Sequence, residues 1–363
     1  MPDPLASRLA RFLDRLRALV ARPFRRPVAP GRFESGSASS LRGYLTTAPL
    51  VEPSRDYLVY IPRGWSRSKR APLLVLCHGC RQSAEDLAAL SRIAEHADRE
   101  GCLVLMPMQS IDANAWGCWN WFETNTEHGA GEAAIVAAQI LQVRRRYRTR
   151  RERTWVAGLS AGGALAAILG LRHPRLVRGV FVHSGLPCGA AASAATALSV
   201  MRNGPNNDVV AVADEARSRW RDATPPNVAL LVVHGDHDDV VAPANAAALV
   251  RQYLRFNGDT LVSSNLPLRG SDASSHEAAG VRYGLRTDDW WIDGRVRVRE
   301  AMVEGLGHAW SGGDAKRAFS DARGPDALEL FERFVGDAEG RDRQSRIARL
   351  LGTRARALTA TPK

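Results

Sequence analysis

The sequence predicts an α/β fold in which a mainly parallel central sheet carries helices on both faces. Three observations point there. Short apolar runs alternate with helix-length segments from Arg55 onward, the pattern of strands joined by crossover helices. One of those runs leads straight into a glycine-flanked serine and then a helix-forming stretch. With 363 residues, 45% of them hydrophobic, the chain can also bury one large core.

Taken in order, the chain begins with Leu5, Leu9, Phe12, Leu13, Leu16, Leu19 and Val20 at helical spacing, with Arg8, Arg11, Arg15 and Arg17 between them. That predicts a basic amphipathic helix, suited to a membrane or granule surface or to docking on the domain itself. Asp14 and the arginines interrupt what an apolar export signal would need, so the expected location is cytoplasmic or granule-associated, with the extracellular medium as the alternative. A Pro, Gly and Ser-rich stretch, residues 27–40, reads as a linker or extended lead-in. The expected division is residues 1–40 as helix and linker, 41–338 as one domain and 339–363 as a basic tail.

Within the domain, residues 57–61, 73–77, 103–106, 154–157, 177–183, 228–234 and 296–303 are strand candidates. Residues 84–99, 131–147, 161–171 and 244–256 are the principal helix candidates. Two stretches fit the alternation poorly. Residues 189–226 are rich in Ala, Ser, Asn and Pro, and residues 267–292 end in Asp288-Asp289-Trp290-Trp291. Each reads equally as a lid over a site or as an ordinary surface loop. No apolar stretch is long enough to predict a membrane-spanning helix.

The formal net charge of +12 is unevenly placed. Residues 1–33 hold eight basic and two acidic side chains, and residues 341–363 hold seven and one, so residues 34–340 are formally neutral. The basic ends fit an anionic surface, and no nucleic-acid partner is expected. Five cysteines, Cys77, Cys80, Cys102, Cys118 and Cys188, are too scattered for a disulfide-built scaffold. Cys77 and Cys102 lie in apolar runs as small hydrophobes. Cys77-His78-Gly79-Cys80 matches a CxxC pattern formally, but zinc would want a second close ligand pair, and neither metal nor organic cofactor is expected.

Thr154-Trp155-Val156-Ala157-Gly158-Leu159-Ser160-Ala161-Gly162-Gly163 is the strongest chemical signal. A serine on a sharp strand-to-helix turn needs flanking glycines where a Cβ would clash, and the helix start aims backbone N–H groups at developing negative charge. Ser160 is therefore the candidate nucleophile. A nucleophilic serine needs a base, and the base an orienting acid. After the run 228–234 come Asp236, Asp238 and Asp239. Asp238 has the His-Gly-x-x-Asp-x-x-Val spacing expected of the acid, and the other two read as turn formers. Among nine histidines, His96 and His173 fall on helices, and His183 and His234 close strands. His308 sits in the glycine-flexible Gly305-Leu306-Gly307-His308-Ala309-Trp310, downstream of the other two, and is the candidate base. Oxyanion donors are expected from the backbone of Ala161 and of the loop at His78-Gly79-Cys80.

These residues resemble the polyhydroxybutyrate depolymerase-type esterases, a branch of the α/β hydrolases bordering on feruloyl and acetylxylan esterases. The likeness runs over residues 55–315. It rests on His78-Gly79-Cys80-x-Gln82, Cys118-Trp119-Asn120-Trp121-Phe122, Gly158-Leu159-Ser160-Ala161-Gly162-Gly163, His183-Ser184-Gly185-Leu186-Pro187 and Gly307-His308-Ala309-Trp310-Ser311-Gly312-Gly313. The resemblance implies the α/β-hydrolase fold and hydrolysis of short-chain hydroxyalkanoate esters. It makes Ser160, Asp238 and His308 the triad, with Cys80 and Ala161 as oxyanion donors. It also implies a Cys80–Cys118 disulfide. Trp119, Trp121 and Phe122 are expected to wall an apolar substrate pocket, though core aromatics would give the same spacing. Poly- or oligo-3-hydroxybutyrate is the expected substrate. Alternatives are feruloyl, acetylxylan or other short-chain esters, and more distantly a non-catalytic granule- or membrane-binding role.

Overall fold

The computed structural model describes residues 29–40, 54–222, 226–264 and 267–340. The expected N-terminal amphipathic helix and nearly all of the basic C-terminal tail lie outside the described residues.

Ten strands among the described residues form one sheet in the order β1-β2-β4-β3-β5-β6-β7-β10-β9-β8. They are β1 (Arg32–Ser39), β2 (Ser54–Ile61), β3 (Leu73–Cys77), β4 (Leu103–Pro107), β5 (Thr154–Leu159), β6 (Gly179–His183), β7 (Ala229–Gly235), β8 (Ala273–Glu277), β9 (Leu285–Ile292) and β10 (Arg295–Val303). The middle six, from β4 to β10, are parallel. The flanking pairs are antiparallel. Successive strand residues point to opposite faces. Leu73, Val75 and Cys77 therefore join an apolar layer with the helices Gly131–Tyr147, Ala161–Arg172 and Ala244–Phe256. Leu74 and Leu76 join the opposite layer, under the helices Ala84–Ser91, Ile93–Glu100 and Ala327–Glu339. In chain order these six are α4, α5, α8, α1, α2 and α9; the one-turn helix Thr124–Glu127 is α3, and Ala194–Asn203 and Val209–Ser218 are α6 and α7.

The buried parallel strands and α4, α5 and α8 lie where the apolar runs predict them. Four expectations change. Residues 32–39 are not linker: they form the edge strand β1, paired along its length with β2 and tied to α4 by Arg146 and Tyr147, both bonded to Glu34. The predicted helix 84–99 is two helices, because Arg92 adopts a left-handed conformation (φ 55°). Its guanidinium reaches Gly312 O and Asp326 Oδ2, each at 2.8 Å, so a tertiary contact holds the break. Residues 267–292 add β8 and β9 to the sheet edge, so this stretch is sheet and not an inserted lid. Residues 189–226 include α6 and α7, fastened to α8 by Arg255–Asp214 (2.7 Å) and by Asn245 Nδ2 donating to Val200 O (3.0 Å). No described helix is long and apolar enough to cross a membrane.

Candidate active site

Between the last residue of β5 and the first of α5, Ser160 stands alone with φ 57° and ψ −120°. Such a backbone is strained for a residue with a side chain and persists only where its surroundings enforce it. Here the enforcement is steric. A Cβ on Gly158 would lie 2.2 Å from backbone atoms of Gly162, and one on Gly162 would lie 2.2 Å from Cys77 O. Glycine at both positions lets the start of α5 descend onto the ends of β3 and β5. Ser160 N donates to His183 O at 2.9 Å, fixing the turn against β6.

Asp238 and His308 come from loops at the carboxyl ends of β7 and β10, which are adjacent parallel strands. Asp238 is buried, and its carboxylate accepts from Val240 N (3.1 Å), Val241 N (2.8 Å) and His308 Nδ1 (2.8 Å to Oδ2). Burial pushes its pKa up, but the His308 contact and the Val241 amide outweigh that and hold it below the ordinary carboxylate range. The two loops are stapled together: Gly305 N donates to Asp236 Oδ1 (2.7 Å), and His237 N donates to Leu306 O (3.2 Å). Asp236 is thus more than a turn former, because it ties down the loop that carries the imidazole. Among the described residues the Ser160 hydroxyl has no hydrogen-bond partner. In resting hydrolases the serine–imidazole bond is often long and tightens with substrate.

Beneath this pair lie two buried histidines that sequence reading assigned only to strand ends. His183 accepts Ser311 N at Nε2 (3.0 Å), which leaves its proton on Nδ1, facing Ser184 Oγ (3.3 Å). It stacks on Trp310 with ring centroids 5.1 Å apart. Burial, aided by the nearby His234 and His308, pushes its pKa down to about 3, so it is neutral. His234 donates from Nε2 to Val241 O (2.8 Å), bracing the segment whose amides bind Asp238. Burial lowers its pKa as well.

The loop after β3 comes close to Ser160: a Cβ on Gly79 would sit 3.4 Å from Ser160 Cβ. Gly79 N donates to Gln82 Oε1 (2.8 Å) and Arg81 N to Trp116 O (2.8 Å). The N–H groups of Cys80 and Ala161, between and beyond them, donate to no acceptor among the described residues. Cys80 and Cys118 form a disulfide with Cα atoms 4.2 Å apart. Cys80 is therefore not paired with Cys77, whose thiol is buried and pushed far up by desolvation. No group of three metal-ligating side chains occurs among the described residues.

Trp119 and Trp121 correct the expected pocket wall. Trp119 is wholly enclosed and donates from Nε1 to His78 O at 3.0 Å, so it supports the Gly79–Cys80 turn from below. Trp121 is 5% exposed and belongs to the same core layer. Phe122 is half-buried and meets Trp121 edge-on at 5.8 Å. The motif's remaining logic lies in a buried polar group. Glu132, at the start of α4, accepts from Asn120 N (2.7 Å), Asn120 Nδ2 (3.0 Å) and Gln109 Nε2. Gln109 Nε2 also donates to Cys118 O (2.8 Å), and Gln109 N donates to His78 Nε2 (3.1 Å). One carboxylate thereby ties the Cys118 segment to the His78–Cys80 turn, a role visible only when residues 78, 109, 120 and 132 meet in space.

A cavity of about 690 Å³ opens at the amino ends of the strands, beside Pro72, Cys102 and Arg153. It lies at the opposite edge from Ser160, so cavity volume does not locate the site.

The chain is 29% identical over 200 residues to poly(3-hydroxyalkanoate) depolymerase C of Paucimonas lemoignei, covering 55% of this chain and 48% of that one. It is 25% identical over 295 residues to poly(3-hydroxybutyrate) depolymerase of Ralstonia pickettii, covering 77% and 54%. The chain thus spans about half the length of these curated relatives. An acetyl xylan esterase from Aspergillus awamori shares the fold, with a TM-score of 0.59 at 16% identity over 76% of this chain and 94% of that one. Residues 55–266 match the family described as Esterase PHB depolymerase, and the chain belongs to that family.

Proposed function

We propose that this protein is a serine esterase that hydrolyses short-chain hydroxyalkanoate esters, poly- or oligo-3-hydroxybutyrate, through an acyl-serine intermediate. The observation that carries the reading is the 2.8 Å bond from His308 Nδ1 to the buried Asp238 carboxylate, on loops stapled together at the same sheet edge as Ser160. Asp238 keeps the His308 proton on Nδ1, leaving Nε2 as the base. His308 takes the Ser160 proton as Oγ attacks the ester carbonyl. The oxyanion is received by the N–H groups of Cys80 and Ala161, with the α5 dipole behind Ala161. His308 then gives the proton to the leaving alkoxide, and water attacks the acyl-serine by the same route in reverse.

The test compares wild type with Ser160→Ala on 3-hydroxybutyrate oligomers, amorphous polymer, p-nitrophenyl butyrate and methyl ferulate. Oligomer or polymer turnover lost in the variant supports the reading. Turnover of the small or feruloyl esters alone keeps the mechanism and moves the substrate. Activity unchanged in Ser160→Ala removes the nucleophile assignment.

A further inference from the structure

A second cavity, of about 330 Å³, opens beside the oxyanion loop, lined by Arg81, Gln82, Asp86, Lys316, Arg317 and Phe319 among others. Its place relative to the chemistry follows from covalent connectivity. Arg81 is the residue after Cys80, in the turn whose Gly79 packs against Ser160 Cβ. Phe319 O accepts the N–H of Trp310 (2.8 Å), two residues past His308. The cavity therefore bridges the oxyanion loop and the segment that follows the base. The proton leaving His308 goes to the departing alkoxide, so the alcohol part of the ester lies on the His308 side of the site.

Its chemistry is cationic and carries an unused donor. Among the described residues Arg81, Lys316 and Arg317 form no ion pair. Arg81 is held over the ring of Trp116, 4.4 Å from its centroid. Asp86 is the one acid in the lining, and its Oδ2 is engaged by Ser83 N in the cap of α1 (2.9 Å). Gln82 is 8% exposed; its Oε1 accepts Gly79 N, and its Nε2 is buried without a partner. A buried amide donor left unpaired in a residue that lines the cavity, together with three cations that form no ion pair, is matched by an anionic acceptor.

We infer that this cavity binds a carboxylate on the alcohol portion of the substrate, so that the enzyme acts at the free-acid end of hydroxyalkanoate oligomers. The inference rests on the esterase function proposed above. In each turnover the ester C–O bond next to the terminal unit breaks. That unit leaves as its alkoxide, takes the proton from His308 and departs as a free hydroxy acid. Water then supplies the hydroxyl that releases the remaining acyl chain from Ser160.

The test measures kcat/KM on the 3-hydroxybutyrate dimer as free acid and as its terminal carboxamide, which differ only in that charge. Wild type is expected to favour the acid about tenfold, a ratio that shrinks as salt screens the exposed cations. Lys316→Gln with Arg317→Gln should bring the ratio close to two. Gln82→Glu keeps an acceptor for Gly79 N while placing a negative charge at the donor, and should take the ratio below one. Because each ratio is internal to one protein, partial loss of folded enzyme does not mimic it. Equal kcat/KM on the two dimers, or a ratio that no variant changes, overturns the carboxylate site and leaves the hydroxyalkanoate esterase reading standing. No turnover of either dimer overturns the carboxylate site, and if longer oligomers and polymer also go untouched while p-nitrophenyl butyrate is still hydrolysed, the hydroxyalkanoate reading falls with it.

Discussion

Asp238 presents one carboxylate to two backbone amides and to His308, and each of its neighbours expects an acceptor. Asp238→Asn keeps the shape but offers the imidazole an amide, which favours the wrong tautomer. The expected outcome is a fall in kcat/KM on p-nitrophenyl butyrate of about 10³–10⁴ with little change in the circular dichroism spectrum. Near-normal turnover would remove Asp238 as the orienting acid. His183 makes a separate prediction, about acid stability. Its pKa is pushed from 6.5 down to about 3 in the folded protein, so between those values the unfolded chain binds the extra proton. Its stabilising contribution is complete above about pH 6.5 and is lost progressively as the pH falls toward 3, by roughly 1.4 kcal/mol per pH unit. His183→Gln can still accept Ser311 N, and its stability between about pH 6 and 4, from urea unfolding, should depend less steeply on pH. His78 and His234, whose pKa values burial also lowers, preserve the remaining slope. An unchanged slope would mean that His183 is not held neutral. At this scale the positions of Ser160, Asp238 and His308 after strand ends were legible in the sequence, because spacing to a strand end is local. The sequence showed Asp236 only as a turn former and was silent on Glu132, because their partners lie at Gly305 and Gln109.

Among the elements, the segment around Cys118 links the turn that carries the Cys80 amide, the proposed oxyanion donor, to the rest of the fold. Three attachments hold it: the disulfide, the Trp119–His78 bond and the Glu132 group. The disulfide closes a separation of 38 residues. Loop-closure entropy for that length gives it about 3–4 kcal/mol of stabilisation. Cys80→Ser with Cys118→Ser should therefore unfold at lower denaturant concentration by about that amount. Its kcat should fall more than its KM rises, since the amide at residue 80 is proposed to serve the transition state. An unaltered kcat would mean that the disulfide does not position that amide. Helix boundaries show why elements are only partly legible. The 84–99 pattern is continuous in hydrophobicity, and the break at Arg92 depends on Gly312 and Asp326, more than two hundred residues away.

Across the whole molecule, legibility follows burial. Strands covered on both faces, such as β3 and β6, appear in the sequence as short apolar runs, because every side chain in them is enclosed. β8 is exposed at all five positions and β1 at five of its eight, so neither carries an apolar signature and both are placed chiefly by backbone pairing. Charge follows another logic. Residues 34–340 are formally neutral, whereas residues 1–33 and 341–363 carry the net +12 in equal parts. Self-repulsion within the folded domain is thus small, and the field that meets an anionic surface comes from the ends. If residues 1–28 serve to attach the enzyme to a polymer granule or membrane, removing their seven arginines and two aspartates should lower co-sedimentation with amorphous polymer granules and anionic vesicles. The loss should be greatest at low ionic strength, where screening is weakest. Turnover of a soluble ester should be retained, because every residue assigned to the chemistry lies between Cys80 and His308. Undiminished co-sedimentation of the truncated chain would assign surface attachment to another part of the molecule.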